Sequence, residues 1–143
     1  MSLSLIAVPV FLDTTQTAGQ LYIQWARMYH YGHLVLPSLS VVTFLLYGYI
    51  AMEKRFACNN WRSYLLAGVT TFIMVPFTWI VMVPTNDTLF RLEAETRTGV
   101  LASSLDEAQA LVMKWSIMHF ARSLFPLAGV VLGSLATLQK SLF

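Results

Sequence analysis

Two stretches of this chain, His33–Met52 and Ser63–Val83, contain no Lys, Arg, Asp or Glu. Each is about 20 residues long, the length that a helix needs to cross the hydrocarbon core of a bilayer. A helix that is apolar all round has no face to offer water. A span must also satisfy its backbone polar groups within itself. The two runs therefore restrict the chain to an all-α membrane helix bundle. Composition agrees: hydrophobic residues make up 57% and charged residues 11%, against about 25% charged in a soluble domain. The net charge of +2 is too small to point to a nucleic-acid partner; lipid is the expected surrounding. The last long apolar segment adds a further span, and the apolar start, about half the length of a span, is either a short re-entrant piece or the second half of a span. The expected spans are 2–12 (partial), 33–52, 63–83 and 115–138, within one integral-membrane domain over 1–143.

The connecting segments carry the charge. Asp13 to Gln20 is polar and predicts a loop. Leu21 to Tyr31 mixes Tyr22, Trp25, Tyr29 and Tyr31 with Arg27 and His30, a composition suited to the membrane–water boundary. Lys54, Arg55 and Arg62 make the next short loop basic, which puts it and Lys140 on the cytosolic side. The segment from Asn86 to Lys114 is richer in acids and faces the other way. Pro84-Thr85-Asn86-Asp87 is expected to stop the preceding span. Thr88 to Thr98 is amphipathic and expected on or above the membrane, and Gly99 to Ser103 reads as a turn. Ser104-Leu105-Asp106-Glu107 is a capping box that opens the last helix. Asn86-Asp87-Thr88 matches a glycosylation acceptor pattern, but so close to a membrane end that modification is not expected. The start has no basic segment and no small-residue cleavage site, so no cleavable signal is read there. Cys58 is the single cysteine, so no internal disulfide can form.

The last helix carries the polar residues of most interest. Trp115, His119, Arg122, Pro126, Gly129 and Gly133 follow one another at steps of four, three, four, three and four, which is one stripe of a helix. An arginine on lipid costs about 3 kcal/mol, so the stripe should face protein. Gly129 and Gly133 form a small-xxx-small pair for close helix contact, either within the chain or in a homo-oligomer. His30 and His33 are one turn apart and offer an imidazole as a general base with a second polar partner beside it. The plainer alternative is that they are boundary residues among tyrosines. With His119 they would also suffice for a three-histidine metal site. Asn86 lies at a depth similar to that of His119 and Arg122. Polar groups from separate segments are thus expected to converge near one membrane face. Trp25, Trp79 and Trp115, with Tyr22, Tyr29 and Phe120, are available to wall a flat pocket, the plainer alternative being ordinary core and interface packing. Pro37, Pro76 and Pro126 leave the carbonyls of His33, Phe72 and Arg122 without their helical donors. No phosphate loop, Walker lysine or nucleophile elbow occurs. No charge lies at mid-span in His33–Met52 or Ser63–Val83, which argues against a proton-coupled transporter.

Taken together, the Ser2–Thr14 start, Gln24-Trp25, Tyr29-His30-Tyr31-Gly32-His33, Pro84-Thr85-Asn86-Asp87, and Trp115 with His119 and Arg122 resemble the fungal anthrone oxygenases, over nearly the whole chain and in the same order. The resemblance implies four membrane helices, of which the first begins earlier in the family, so this chain looks like a version lacking about half of that helix. It implies oxidation of a polyketide-derived anthrone of the emodin-anthrone type by dioxygen to the anthraquinone, without flavin or haem, in an endomembrane of a fungal cell. On that reading His30 or His33 is the base. Arg122 and Asn86 stabilise the oxyanion, and His119 is a second proton carrier. Trp25, Tyr29 and Trp115 contact the substrate, and no metal is assigned. Two alternatives belong to other classes: a non-catalytic membrane scaffold, and a haem or copper protein using His33 and His119.

Overall fold

The computed structural model describes residues 3–56, 60–100 and 103–141. Cys58 lies outside them. Among the described residues there is no strand, and four helices follow in order: α1 (Leu3–Thr14), α2 (Ala18–Phe56), α3 (Trp61–Thr98) and α4 (Leu105–Ser141). The last three are long and apolar enough to cross a membrane. By contacts the chain divides into two compact units, Met1–Leu34 with Thr78–Ala121, and Val35–Phe77 with Arg122–Phe143.

Local chemistry explains the element boundaries. The loop expected over Asp13–Gln20 shrinks to residues 15–17. Asp13 and Thr14 finish α1. Thr17 caps α2, its side chain accepting from Gln20 N at 3.4 Å. The threonines that read as loop are thus a C-cap and an N-cap. In α2 the regular helix Ala18–Gly32 gives way to a turn at residues 33–34 and resumes over Val35–Phe56. Pro37 then falls in a first turn, where a missing N–H costs nothing. The carbonyl it leaves without a donor is that of His33.

Helix α3 is interrupted twice, at Ile73 and by a π-turn over Thr78–Met82. The expectation that Pro84-Thr85-Asn86-Asp87 stops it is overturned. Pro84 sits in the first turn of the renewed helix Val83–Thr98, a position that tolerates proline. Thr88 to Thr98 therefore continues the span's helix. Gly99 ends it at φ +74°, with its N–H on Glu95 and Thr96 carbonyls; only glycine adopts that conformation readily. The capping box forms as read: Glu107 N donates to Ser104 Oγ at 3.2 Å and Ser104 N donates to Glu107 Oε2 at 3.1 Å.

The stripe on α4 faces inward. Trp115, His119 and Arg122 expose 2, 3 and 8% of their surface, and Gly129 and Gly133 are buried. In the first unit the largest fully buried side chains are Trp25, Tyr22, Leu21, Met82, Leu89, Val8 and Val112. Tyr22 Oη and Ser103 Oγ are 2.9 Å apart, and Gln109 Nε2 donates to the Leu12 carbonyl at 3.3 Å. The second unit packs on small residues. A Cβ added at Gly129 would collide with Thr71 Oγ1 and lie 2.9 Å from the Ala67 carbonyl. One added at Gly133 would strike the Tyr47 ring, 2.6 Å from its Cζ. The small pair therefore serves contact within the chain. Leu45, Leu46 and Tyr49 of the same unit point outward, as lipid-facing residues do.

Candidate functional site

The first unit brings together most of the residues singled out above. Helix α4 supplies Trp115 and His119, and α1 supplies an unforeseen partner, Ser4. Ser4 Oγ lies 3.0 Å from His119 Nδ1, and Ser116 Oγ donates to the Ser4 carbonyl at 3.4 Å. The N-terminal segment is thus tied to the last helix beside the buried imidazole. From α3, Asn86 accepts at Oδ1 from Trp115 Nε1 at 2.9 Å. An indole N–H can only donate, so the amide oxygen must face it. That leaves the amide N–H groups of Asn86, itself 4% exposed, as the donors available to another acceptor. A side chain held this way is a poor glycosylation acceptor.

Ring contacts join the histidines. His119 stacks on Trp115 with centroids 4.9 Å apart. Trp115 meets Trp25 edge to face at 5.8 Å, and Trp25 meets Tyr29 at 5.3 Å. Tyr29 stacks on His33 at 5.6 Å, and His33 lies 5.7 Å from His30. The one-turn spacing of His30 and His33 does put them side by side. His33 Nδ1 is 2.8 Å from the His30 carbonyl. A carbonyl only accepts, so Nδ1 carries the proton, and in the neutral ring Nε2 holds the lone pair. His33 is therefore oriented to accept a proton at Nε2. Trp25 is wholly buried, and its Nε1 has no hydrogen-bond partner among the described residues. Its neighbours are the rings of Tyr29, Phe90 and Trp115.

Arg122, three residues beyond His119 on α4, is buried and stands at the start of the second unit's part of that helix. Trp79, expected to help wall a pocket, lies on the π-turn and is 73% exposed. The π-turn shifts the helical register there, which spacing alone does not reveal. No group of three His, Cys, Asp or Glu side chains is close enough to hold a metal ion among the described residues, so the three histidines do not form the facial set considered above. A groove of about 380 Å³ opens on the same unit, lined by Arg27, His30, Tyr31, Phe90, Glu93 and Arg97. Glu93 is buried and pairs with Arg97 one turn on. Of these, only the Glu93–Arg97 spacing was available in the sequence as a pairing signal.

The family model described as anthrone oxygenase matches residues 25–132. The anthrone oxygenase AgnL2 of Paecilomyces divaricatus is 57% identical over 137 residues, covering 94% of this chain and 84% of that protein. The anthrone oxygenase nsrD of Aspergillus novofumigatus is 48% identical over 98% of this chain and 85% of its own length. A noranthrone monooxygenase of Aspergillus flavus is 42% identical over 94% of this chain and 64% of its own length. No solved structure matches. The match takes in both long charge-free runs and the stretch with Trp115, His119 and Arg122, and the chain belongs to the anthrone oxygenase family.

Proposed function

We infer that this protein oxidises an anthrone, of the emodin-anthrone type, to its anthraquinone with dioxygen. The observation that carries the reading is the linked set His119–Trp115–Trp25–Tyr29–His33, buried at one end and bearing an oriented imidazole at the other, in a chain of this family. An anthrone methylene is acidic because its anion is an aromatic phenolate. His33 Nε2, or His30 beside it, removes one proton. The electron pair of the anion passes to dioxygen, and a C–O bond forms. Protonation gives a hydroperoxide at the former methylene carbon. Loss of the remaining C–H proton forms the carbonyl and breaks the O–O bond, and the released hydroxide takes up a proton as water. One oxygen atom enters the quinone and the other leaves as water, so no external reductant is consumed. The Asn86 amide N–H groups supply a donor for the developing oxyanion. His119, held by Ser4, is the second proton carrier. Arg122 is the candidate cation of the second unit, and Trp25, Tyr29 and Trp115 shape the aromatic surroundings.

The same reading makes the chain a single multi-pass domain in a fungal endomembrane, where a flat apolar substrate partitions into lipid. Oxygen uptake and quinone formation by purified protein, with and without a chelator, test the reaction. The variants His30→Ala, His33→Ala, His119→Ala and Arg122→Ala test the roles. Loss of the base should lower the rate by about 100-fold or more. Unchanged rates in all four variants would remove the proposed site.

A further inference from the structure

The groove on the first unit holds a charge pattern that the reaction above does not use. Glu93 is the buried acid of the pair, its side chain 12% exposed, while that of Arg97 is 67% exposed. The ion pair runs from Arg97 Nε to Glu93 Oε1, so the terminal nitrogens of the guanidinium are left to donate elsewhere. Glu93 is thus a positioning residue: it fixes the direction of Arg97. Arg27 lines the same groove and has no ion-pair partner among the described residues. Two guanidiniums and one carboxylate among the lining residues leave a local surplus of positive charge. Phe90 and the exposed Tyr31 add aromatic surface, and His30 adds an imidazole. Cations, flat rings and a proton acceptor in one groove fit an anionic aromatic molecule.

We propose that this groove binds an acidic anthrone through its anionic oxygen, with Arg27 and the Glu93-held Arg97 as the recognising cations and His30 beside the ring system. This rests on the anthrone reading and names the residues that would favour an anthrone with an ionisable group over the unsubstituted ring system. Arg27 is on the surface, so its replacement leaves the packing intact.

The test uses the full chain purified in detergent. Binding of a hydroxylated and of a carboxylated anthraquinone, as non-reacting probes, is compared with that of unsubstituted anthraquinone. In wild type the acidic probes should bind more tightly. Arg27→Gln should weaken them about tenfold, the worth of one charge-assisted hydrogen bond, and should leave the unsubstituted probe unchanged. Arg27→Lys should recover part of the loss, and Glu93→Gln should reproduce part of it by releasing Arg97. Turnover of a hydroxylated anthrone should show the Arg27→Gln effect in KM and little in kcat. Equal affinity of Arg27→Gln and wild type for the acidic probes, or an equal loss for all three probes, would overturn the proposal. Wild-type binding with this pattern but no quinone formation would sink the oxygenase reading and leave the groove standing.

Discussion

The two compact units solve the problem of packing in opposite ways. The first buries large rings and ties them across elements with side-chain hydrogen bonds: Trp115 to Asn86, Ser4 to His119, Tyr22 to Ser103, Thr15 to Gln24. The second buries Ala51, Ala67, Gly68, Gly129, Gly133 and Ala136, so that backbones approach and little side chain intervenes. Its polar contacts are mainly hydroxyls on carbonyls, of the same helix as in Thr71 to Ala67 at 2.9 Å or of another as in Ser40 to Thr71 at 3.0 Å, with one hydroxyl pair, Tyr64 and Thr137, at 3.4 Å. In lipid there is no hydrophobic force between helices, and small residues bring them together by van der Waals contact. Polar pairs between distant elements are costly to bury unless satisfied, but they hold geometry. Chemistry needs held geometry, and anchoring needs only close contact. On the proposed reading, the first unit supplies most of the reacting groups and the second supplies close helix contact together with Arg122.

The contrast can be broken most directly at Trp115. Replacing it with Ala removes a buried indole, the stacking partner of His119 and the donor to Asn86. The expected cost is about 3–5 kcal/mol, read as a fall in thermal midpoint in detergent, together with lost quinone formation by the protein that remains folded. Full activity per folded molecule would mean that the first unit's ring chain is packing alone.

A smaller effect is expected at Gly129. A methyl there meets the Ala67 carbonyl and Thr71 Cβ, 2.9 and 3.2 Å away, and a backbone carbonyl cannot swing aside. Gly129→Ala should cost about 1–3 kcal/mol and reduce the yield of folded protein, with the rate per folded molecule retained. Gly133→Ala should cost less, because the obstacle there is the tip of the Tyr47 side chain. The reverse order would show that the glycines are not packed as described. The smallest effect belongs to Tyr47→Phe. Its hydroxyl reaches the Gly129 carbonyl at 3.5 Å, at the limit of a hydrogen bond, so the loss should stay below about 1 kcal/mol. A large loss of activity in this variant would place function in the second unit and end the division of labour.

Much of this was legible in the residues. The runs without charge announced spans because length and apolarity alone decide what can cross a bilayer. The capping box and the inward stripe on α4 followed from helical periodicity, a local rule. The helix boundaries were read less well. The threonines at 14–17 and Pro84 resemble loop and stop signals, but threonine also caps and proline also starts helices, and only the neighbouring turns choose. Trp79 was misplaced for a similar reason: a π-turn slips the register by part of a turn.

What the sequence by itself determined is the class of molecule and the set of polar residues it must bury, since both follow from composition and from period along one helix. Only the tertiary structure decided which of them meet. Ser4 lies 115 positions from His119 in the chain and Asn86 lies 29 from Trp115, and no periodicity reaches that far. The groove of Arg27, His30 and Glu93 likewise exists only because residues of α2 and α3 face one another. A contact between distant segments depends on how whole helices pack, and that is settled by the sum of all their side chains.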